Sequence, residues 1–340
     1  MRILVTGATG FVGNVLLDLI PRAVAYSALD LLVLPGDAGR ARLAAKGIAE
    51  LGFIEGDVTS PAAVEEAVRG HTHVIHLAGL ISYWGRDKAR LVRVNQRGVE
   101  NVVRASLRHS VDRLIHVSSV GAIGFCRDGT PAGEDEPFNW PKGFHYMTTK
   151  HAGQQIVERA IREQGLRAII LNPASLMGPG DPDPRSPHNQ LYARIWLKKL
   201  FGCFAGGLAV ADVRDLAGII IKALAGGTLG EKYLVVGANL PYTRVVQSIG
   251  DCFQTRVYPF RVPAFLLTAA GASLELVSLL TGKPPPLTRA YGRLSGWYGY
   301  YSNRKSSEAF GHRYLPFAQT IADGCAYFRE HHGPPPAPAT

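Results

Sequence analysis

The sequence predicts a doubly wound α/β fold, a parallel sheet with helices on both faces, joined to a smaller, mostly C-terminal lobe. Short apolar runs rich in β-branched residues alternate with helical stretches through the first half of the chain. Apolar strands separated by helices mean a parallel sheet covered on both sides. After Pro173 the rhythm breaks, and the proline-rich "PGDPDPRSP" (179–187) leads into helical and irregular segments.

The elements follow in order. "RILVTG" (2–7) is the first strand and "GNVLLDLI" (13–20) continues as a helix. "LDLLVL" (29–34), "LGFIEGD" (51–57), "THVIHLAG" (72–79), "DRLIHVSS" (112–119) and "LRAIILNP" (166–173) are the next five strands. Helical stretches lie between them, among them "SPAAVEEAVRG" (60–70) and "VNQRGVENVVRASLRH" (94–109). In the first of these Ser60 is the expected N-cap, with Pro61 at the first helical position. A strand–helix fragment, "EKYLVVGAN", returns at 231–239. The expected organisation is a dinucleotide-binding lobe over 1–172, with 205–238 threaded back into it, and a substrate lobe over 173–330. The tail "HHGPPPAPAT" (331–340) cannot form a core and is expected to be disordered.

Composition narrows the classes. With 340 residues, 46% hydrophobic and 19% charged, the chain is globular with a sizeable core. Cys126, Cys203, Cys252 and Cys325 are far apart in sequence, which argues against a disulfide scaffold or a zinc site and suits a reducing cytoplasm. The chain opens on a strand rather than a signal peptide, and no metal is expected. The net charge of +10 raises nucleic acid as a partner, but the basic residues are scattered. Only "RIWLKKLFG" (194–202) gathers cations with aromatics, and at helical spacing that reads as a solvated face. An anionic cofactor accounts for the charge as well, and no nucleic-acid partner is expected. "VPAFLLTAAGASLELVSLL" (262–280) carries Glu275 and reads as a packed helix with at most peripheral membrane contact.

"TGATGFVG" (6–13) sits where the first strand meets the first helix and places Gly7, Gly10 and Gly13 three apart. A tight strand-to-helix turn needs a residue that tolerates positive φ, and an approaching pyrophosphate leaves no room for Cβ. The helix N-terminus offers unpaired N–H groups and partial positive charge to phosphate. The strand-before, helix-after context points to a dinucleotide.

This G-x-x-G-x-x-G turn resembles that of the extended short-chain dehydrogenase/reductases, the NAD-dependent epimerase/dehydratase superfamily. Further matches follow in order: "GDV" (56–58), "HLAG" (76–79), Asn95 and "LNPASLMGPGD" (171–181). The resemblance covers residues 1–240 well and is nearest to the branch holding dihydroflavonol reductases and 3β-hydroxysteroid dehydrogenases. It implies a Rossmann lobe whose cofactor contacts come from Gly7, Thr9, Gly10, Phe11, Val12 and Gly13 at the turn. Asp57 and Val58 would serve the adenine, and Leu77, Ala78, Gly79, Asn95 and Pro173 the nicotinamide side. A structural role for Asn95 is an equal alternative.

In that setting "FHYMTTK" (144–150) gains meaning. Tyr146 and Lys150, four apart, share one helix face. A phenol is too weak an acid to act as a base at neutral pH, and a cation nearby favours its phenolate, so Lys150 is expected to lower the Tyr146 pKa. Tyr146 then exchanges a proton with a substrate oxygen, and Lys150 also holds the nicotinamide ribose. In the family the catalytic hydroxyl lies five residues before a glycine matching Gly124, which points to Ser119, with Ser118 as neighbour. His145 and His151 read as surface residues.

The reaction is bounded by absences. Dehydratases carry an acidic pair where this chain has Val120-Gly121, and sugar-nucleotide enzymes carry an arginine ahead of the late helix, whereas Arg214 lies inside "GGLAVADVRDLA" (206–217). Tyr83, Trp84, Phe138 and Trp140 either line an apolar pocket or pack the lobes together. The leading expectation is an NAD(P)-dependent oxidoreductase acting on a hydrophobic secondary alcohol or ketone, steroid-, flavonoid- or terpenoid-like. The rivals are a sugar-nucleotide epimerase and a non-catalytic NAD(P)-sensing protein. The second strand ends at Leu34 without a carboxylate. Asp37 follows three residues late, and Arg40 and Arg42 are placed for bidentate contact with a 2′-phosphate, so NADP is favoured and NAD is the alternative. The resemblance also implies a homodimer built on helices around 88–109 and 146–164.

Overall fold

The computed structural model describes residues 1–198, 203–257 and 260–332. Seven strands form one parallel sheet: β1 (Arg2–Thr6), β2 (Ala28–Val33), β3 (Leu51–Glu55), β4 (His73–His76), β5 (Arg113–Val117), β6 (Ala168–Pro173) and, later, β9 (Lys232–Val235). Their spatial order is β3-β2-β1-β4-β5-β6-β9. The chain therefore winds outward from β1 to one edge, returns to β4 beside β1, and winds to the other. The reversal between β1 and β4 opens a crevice at the carboxyl ends of the strands, where doubly wound sheets bind ligands.

Helices α1 (Phe11–Ala23), α2 (Gly39–Ala44), α3 (Pro61–Val68), α4 (Lys88–Val92), α5 (Val99–Arg108) and α6 (His145–Gln164) connect these strands. Side chains alternate across the pleat. Ile3 and Val5 face a core closed by Leu16 and Ile20 of α1 and by Ile219 and Ile220. Leu4 faces the opposite core, closed by Val64, Val102 and Val157. Ser60 caps α3 as expected, accepting a hydrogen bond from the Ala63 amide with Pro61 in the first turn.

The second sheet is small: β7 (Ser175–Met177), β8 (Gly207–Asp212), β10 (Ala238–Pro241) and β11 (Tyr298–Gly299), with β8 pairing all three others. It is accompanied by α7 (Gln190–Trp196), α8 (Val213–Ala225), α9 (Tyr242–Cys252), α10 (Ala264–Thr281), α11 (Arg289–Leu294), α12 (Arg304–Phe310) and α13 (Phe317–His332). Of the segment 205–238, α8 and β9 join the main lobe, whereas β8 belongs to the second sheet. "EKYLVVGAN" is β9 followed by the start of β10, not a strand and a helix. His331 belongs to α13, so the helix runs into the stretch expected to be tail, and 333–340 lie outside the described residues.

Candidate functional site

The glycine turn lies at the β1–β4 crevice. Gly7 has φ +74°, and a Cβ there would sit 2.6 Å from the Ala78 amide nitrogen. Both the backbone conformation and the approach of the β4 exit therefore demand glycine. A Cβ on Gly13 would lie 2.4 Å from the Ala8 backbone, so this glycine lets α1 sit down on its own loop. Gly10 is the N-cap and supplies no capping side chain, and little but the Gly7 carbonyl faces its Cβ position, at 3.5 Å. The first-turn amides, Phe11, Val12 and Gly13 among them, open the helix toward an uncrowded face. That fits a pyrophosphate, which needs close backbone approach and N–H donors.

Beside the glycine turn, Thr9 is the hub of a polar cluster. Its hydroxyl donates to Asp37 at 2.8 Å, and its carbonyl accepts from Arg42 at 2.8 Å. Asp37 also accepts from the Gly39 amide, which fixes the carboxylate at the turn. Arg40 does not join Arg42. It pairs with Glu55 at 2.5 Å and lies over the Phe53 ring, both at the surface end of β3. The two arginines are two apart on α2 and so point to different sides, and the joint clamp expected from sequence is not formed. Asp57, just past β3, accepts from the Thr59 amide. Val58 is buried beneath Gly98, with its carbonyl bonded to Asn101.

Asn95 is buried and acts as a bracket. Its amide exchanges hydrogen bonds with the Leu80 backbone at 2.9 and 3.0 Å and reaches the Thr149 hydroxyl at 3.3 Å. It thereby ties the loop after β4 to α6. It sits in a π-helical turn over Arg93–Gly98, a widened geometry found often at functional sites. The Leu77 and Ala78 amides are held by the Thr6 carbonyl and hydroxyl, while Gly79 lies beside Asn95 and Lys150. Pro173 closes β6, buried.

Ser119 and Tyr146 converge over Gly121. A Cβ on that glycine would lie 3.4 Å from the Ser119 hydroxyl and 3.7 Å from the Tyr146 ring. Ser119 accepts from the Gly121 amide at 3.0 Å, and its carbonyl is held by Asn172 at 2.7 Å. Tyr146 is buried at the start of α6, and burial lifts its phenol above the ordinary range, partly offset by the hydrogen bond to Ser119. The expected lowering by Lys150 is not the governing effect: the ammonium is instead engaged by the Val117 carbonyl at 3.2 Å. Burial with no carboxylate partner pushes Lys150 down to about 8. Beneath it, His76 and His116 stack 5.5 Å apart, both kept neutral by burial, His76 down to about 3. His151 is half-buried rather than free at the surface. It bonds the Ala122 carbonyl at 2.8 Å and stacks on Phe138 at 4.1 Å, steadying the serine loop.

Of the four aromatics flagged in sequence, Tyr83 makes the ring contact with Tyr146, 5.8 Å edge-on. Trp140 packs the lobes, donating to the Ile123 carbonyl and meeting Phe125, Phe144 and Trp297. Phe138 is taken by His151, and Trp84 lies under Arg86. The wall continues instead through residues with no local sequence signal. Tyr83 meets Tyr291 at 4.9 Å, Tyr291 meets Phe204 at 5.2 Å, and Phe204 meets Tyr242 at 5.0 Å. Arg214 is locked by Asp212 at 2.8 Å and Asp323 at 2.7 Å, which engages it away from any diphosphate.

Residues 3–236 match the model of the NAD dependent epimerase/dehydratase family. A putative dihydroflavonol 4-reductase of Synechocystis is 26% identical, covering 96% of this chain and 94% of its own. A 2-alkyl-3-oxoalkanoate reductase of Stenotrophomonas maltophilia is 28% identical, covering 93% of this chain and 95% of its own. The crystal structure of gox2253 superposes with a TM-score of 0.82 at 28% identity, covering 97% of this chain and 98% of its own. With its glycine turn, parallel sheet and Ser–Tyr–Lys constellation, the chain belongs to the NAD-dependent epimerase/dehydratase family of extended short-chain dehydrogenase/reductases.

Proposed function

We propose that the protein is an oxidoreductase that interconverts a hydrophobic ketone and its secondary alcohol, with Ser119, Tyr146 and Lys150 as its working residues. The observation that carries this is the convergence of Ser119 and Tyr146 over Gly121, beside Lys150, at the strand ends next to the glycine turn. A nicotinamide cofactor, when bound, supplies or accepts the hydride. Tyr146, kept protonated by burial, donates its proton to the carbonyl oxygen during reduction and takes one from the alcohol in reverse. Ser119, fixed by Gly121 and Asn172, orients that oxygen. Asn95 holds the loop that borders the ribose side, and Lys150 lies against the same loop at Gly79.

The ring series Tyr146, Tyr83, Tyr291, Phe204 and Tyr242 supports an apolar, ring-containing or long-chain substrate. The reductases of flavonoid and alkyl-oxoalkanoate substrates among the relatives support the same class. A nucleotide-sugar epimerase is the second reading, favoured by the family and opposed by the locked Arg214. A screen of ketones and secondary alcohols with NAD(H) and NADP(H), followed by nicotinamide absorbance, tests the proposal. Turnover of hydrophobic ketones is the expected result, and epimerisation of nucleotide sugars alone would replace it with the second reading.

For the cofactor, Arg42 beside Thr9 supports NADP(H), because a guanidinium there can pair with a 2′-phosphate. Asp37 at the same spot supports NAD(H), because a carboxylate accepts from a ribose hydroxyl and repels phosphate. We favour NADP(H). Arg42→Ala is then expected to weaken NADP(H) about tenfold or more, the worth of a lost charge-assisted contact, while NAD(H) binding changes little. Equal losses for both cofactors, or tighter wild-type binding of NAD(H), would reverse the choice.

We also propose a homodimer through α5 and α6. Between them runs a groove floored by Val103, Leu107, Ile156 and Ala160 and edged by Arg104 and Arg159, a face suited to helices of a second copy. Light scattering at micromolar concentration is expected to give twice the chain mass, and a monomer would contradict the proposal.

A further inference from the structure

Helix α10 carries most of the exposed large apolar side chains of the described residues, and it presents them outward. Leu266, Ala269, Ala270, Ser273, Leu276, Val277 and Leu280 are all exposed and are linked by i, i+3 and i, i+4 spacings into one stripe on its outer side. Leu280 is 90% exposed and Leu276 64%, and Phe265 beside the stripe is 71% exposed. The other side is seated on the chain itself. Gly271 lies against the Thr288 and Arg289 backbone, and Gly292 of α11 against the Leu267 backbone, so the two helices form a close hairpin.

Three further features identify what the stripe meets. The hydroxyls on α10 are satisfied within the chain: Ser273 donates to the Ala269 carbonyl, Thr268 to the Ala264 carbonyl and Ser278 to the Lys283 carbonyl. An apolar medium demands such internal satisfaction. The only acidic residue from 252 to 307 is Glu275, against seven basic ones. Glu275 is turned toward α11, where it accepts from the Arg289 amide, while Arg261, Lys283, Arg289 and Arg293 are exposed around the hairpin. An apolar stripe with a cationic margin complements an anionic bilayer surface, whose acyl region takes the leucines and whose headgroups take the cations.

We infer that the α10–α11 hairpin docks the protein on an anionic lipid bilayer, lying in the plane of the interface. By length and composition alone α10 could cross a membrane. Spanning is disfavoured because insertion would strip Gly271 and Ser278 from their contacts within the hairpin. The same hairpin carries Tyr291 against Tyr83, so the docked surface is the outer side of a wall of the candidate site. The docking is independent of which substrate is turned over, because it is read as binding.

The test is co-sedimentation of the full chain with vesicles of phosphatidylcholine alone and of an equal mixture with phosphatidylglycerol. Binding to the mixed vesicles, weakened by salt and much weaker on phosphatidylcholine alone, is expected. Leu276→Glu with Leu280→Glu is expected to lower that binding about tenfold or more by removing apolar insertion. Arg261→Gln with Lys283→Gln is expected to lower it by about tenfold through lost headgroup attraction. Both pairs lie outside the candidate catalytic residues, and circular dichroism checks that each variant keeps its helices. Absence of wild-type binding, or unchanged binding by both variants, would overturn the inference. So would a dimer that dissociates when Leu276 and Leu280 are replaced, since the stripe would then be covered by a second copy.

Discussion

Tyr146→Phe is expected to lower kcat by about 10²–10⁴-fold while leaving cofactor affinity nearly unchanged. The ring is buried and touches Tyr83, and phenylalanine keeps that packing. What is lost is one hydroxyl, the hydrogen bond it makes with Ser119, and, among the described residues, the ionisable proton donor placed over Gly121. The stability cost of the lost hydrogen bond is about 1 kcal/mol, too small to explain loss of turnover by unfolding. The discriminating measurement is a pair: single-turnover rate and cofactor Kd on the same preparation. Retention of most of the rate would remove Tyr146 from the chemistry. Loss of cofactor binding together with the rate would instead make it a structural residue of the crevice.

The parts of the site that sequence made legible are those built from neighbours along the chain. The glycine turn, Ser119 at a strand end and the Tyr146–Lys150 pair each occupy one local stretch, so spacing alone places them on a turn, a strand end and a helix face. Tyr291, Phe204 and Tyr242 give no such signal, because the ring series they form, joined to Tyr83 through Tyr291, exists only after α9, α11 and the β8 approach have folded against the first lobe. His151 was read as a surface residue for a related reason: helical spacing does not say which face a loop will cover, and the serine loop reaches it through the Ala122 carbonyl. For Trp140 the two roles left open by the sequence are separated only by the fold, which places it between the lobes with its indole on the Ile123 carbonyl. The second sheet was missed because β7, β10 and β11 are two to four residues long, too short to show a period. The partner that engages Arg40, Glu55, lies on β3 and is not visible from the local spacing on α2.

The second large effect concerns Lys150, where stability and chemistry are expected to part. The ammonium is buried, has a single backbone acceptor in Val117, and lies over the neutral pair His76 and His116. Burial depresses its pKa from 10.5 to about 8. A depression of that size corresponds to about 3 kcal/mol of cost for holding the charge in the folded state. The sign follows from proton counting. Between about 8 and 10.5 the unfolded chain binds more protons than the folded one, so this group makes stability rise with pH across that window. Below it, the folded protein carries the full cost. Lys150→Met keeps the length and apolar stem while removing the charge. It gives up the bond to Val117, about 1–2 kcal/mol, so a net gain of about 1–2 kcal/mol remains at neutral pH. Thermal unfolding at pH 7 is then expected to shift upward by roughly 1–3 °C. The shift should shrink as pH is raised toward 10, because the wild type sheds its cost there and the variant has none to shed. Turnover is expected to fall by at least about 10²-fold in the same variant, since the charge beside Gly79 and Asn95 is what the ribose side of the crevice offers an anionic cofactor. An unchanged or lowered melting temperature at every pH would mean that Lys150 is better solvated in the fold than its surroundings indicate. Retained turnover would show that the crevice works without its only buried cation among the described residues.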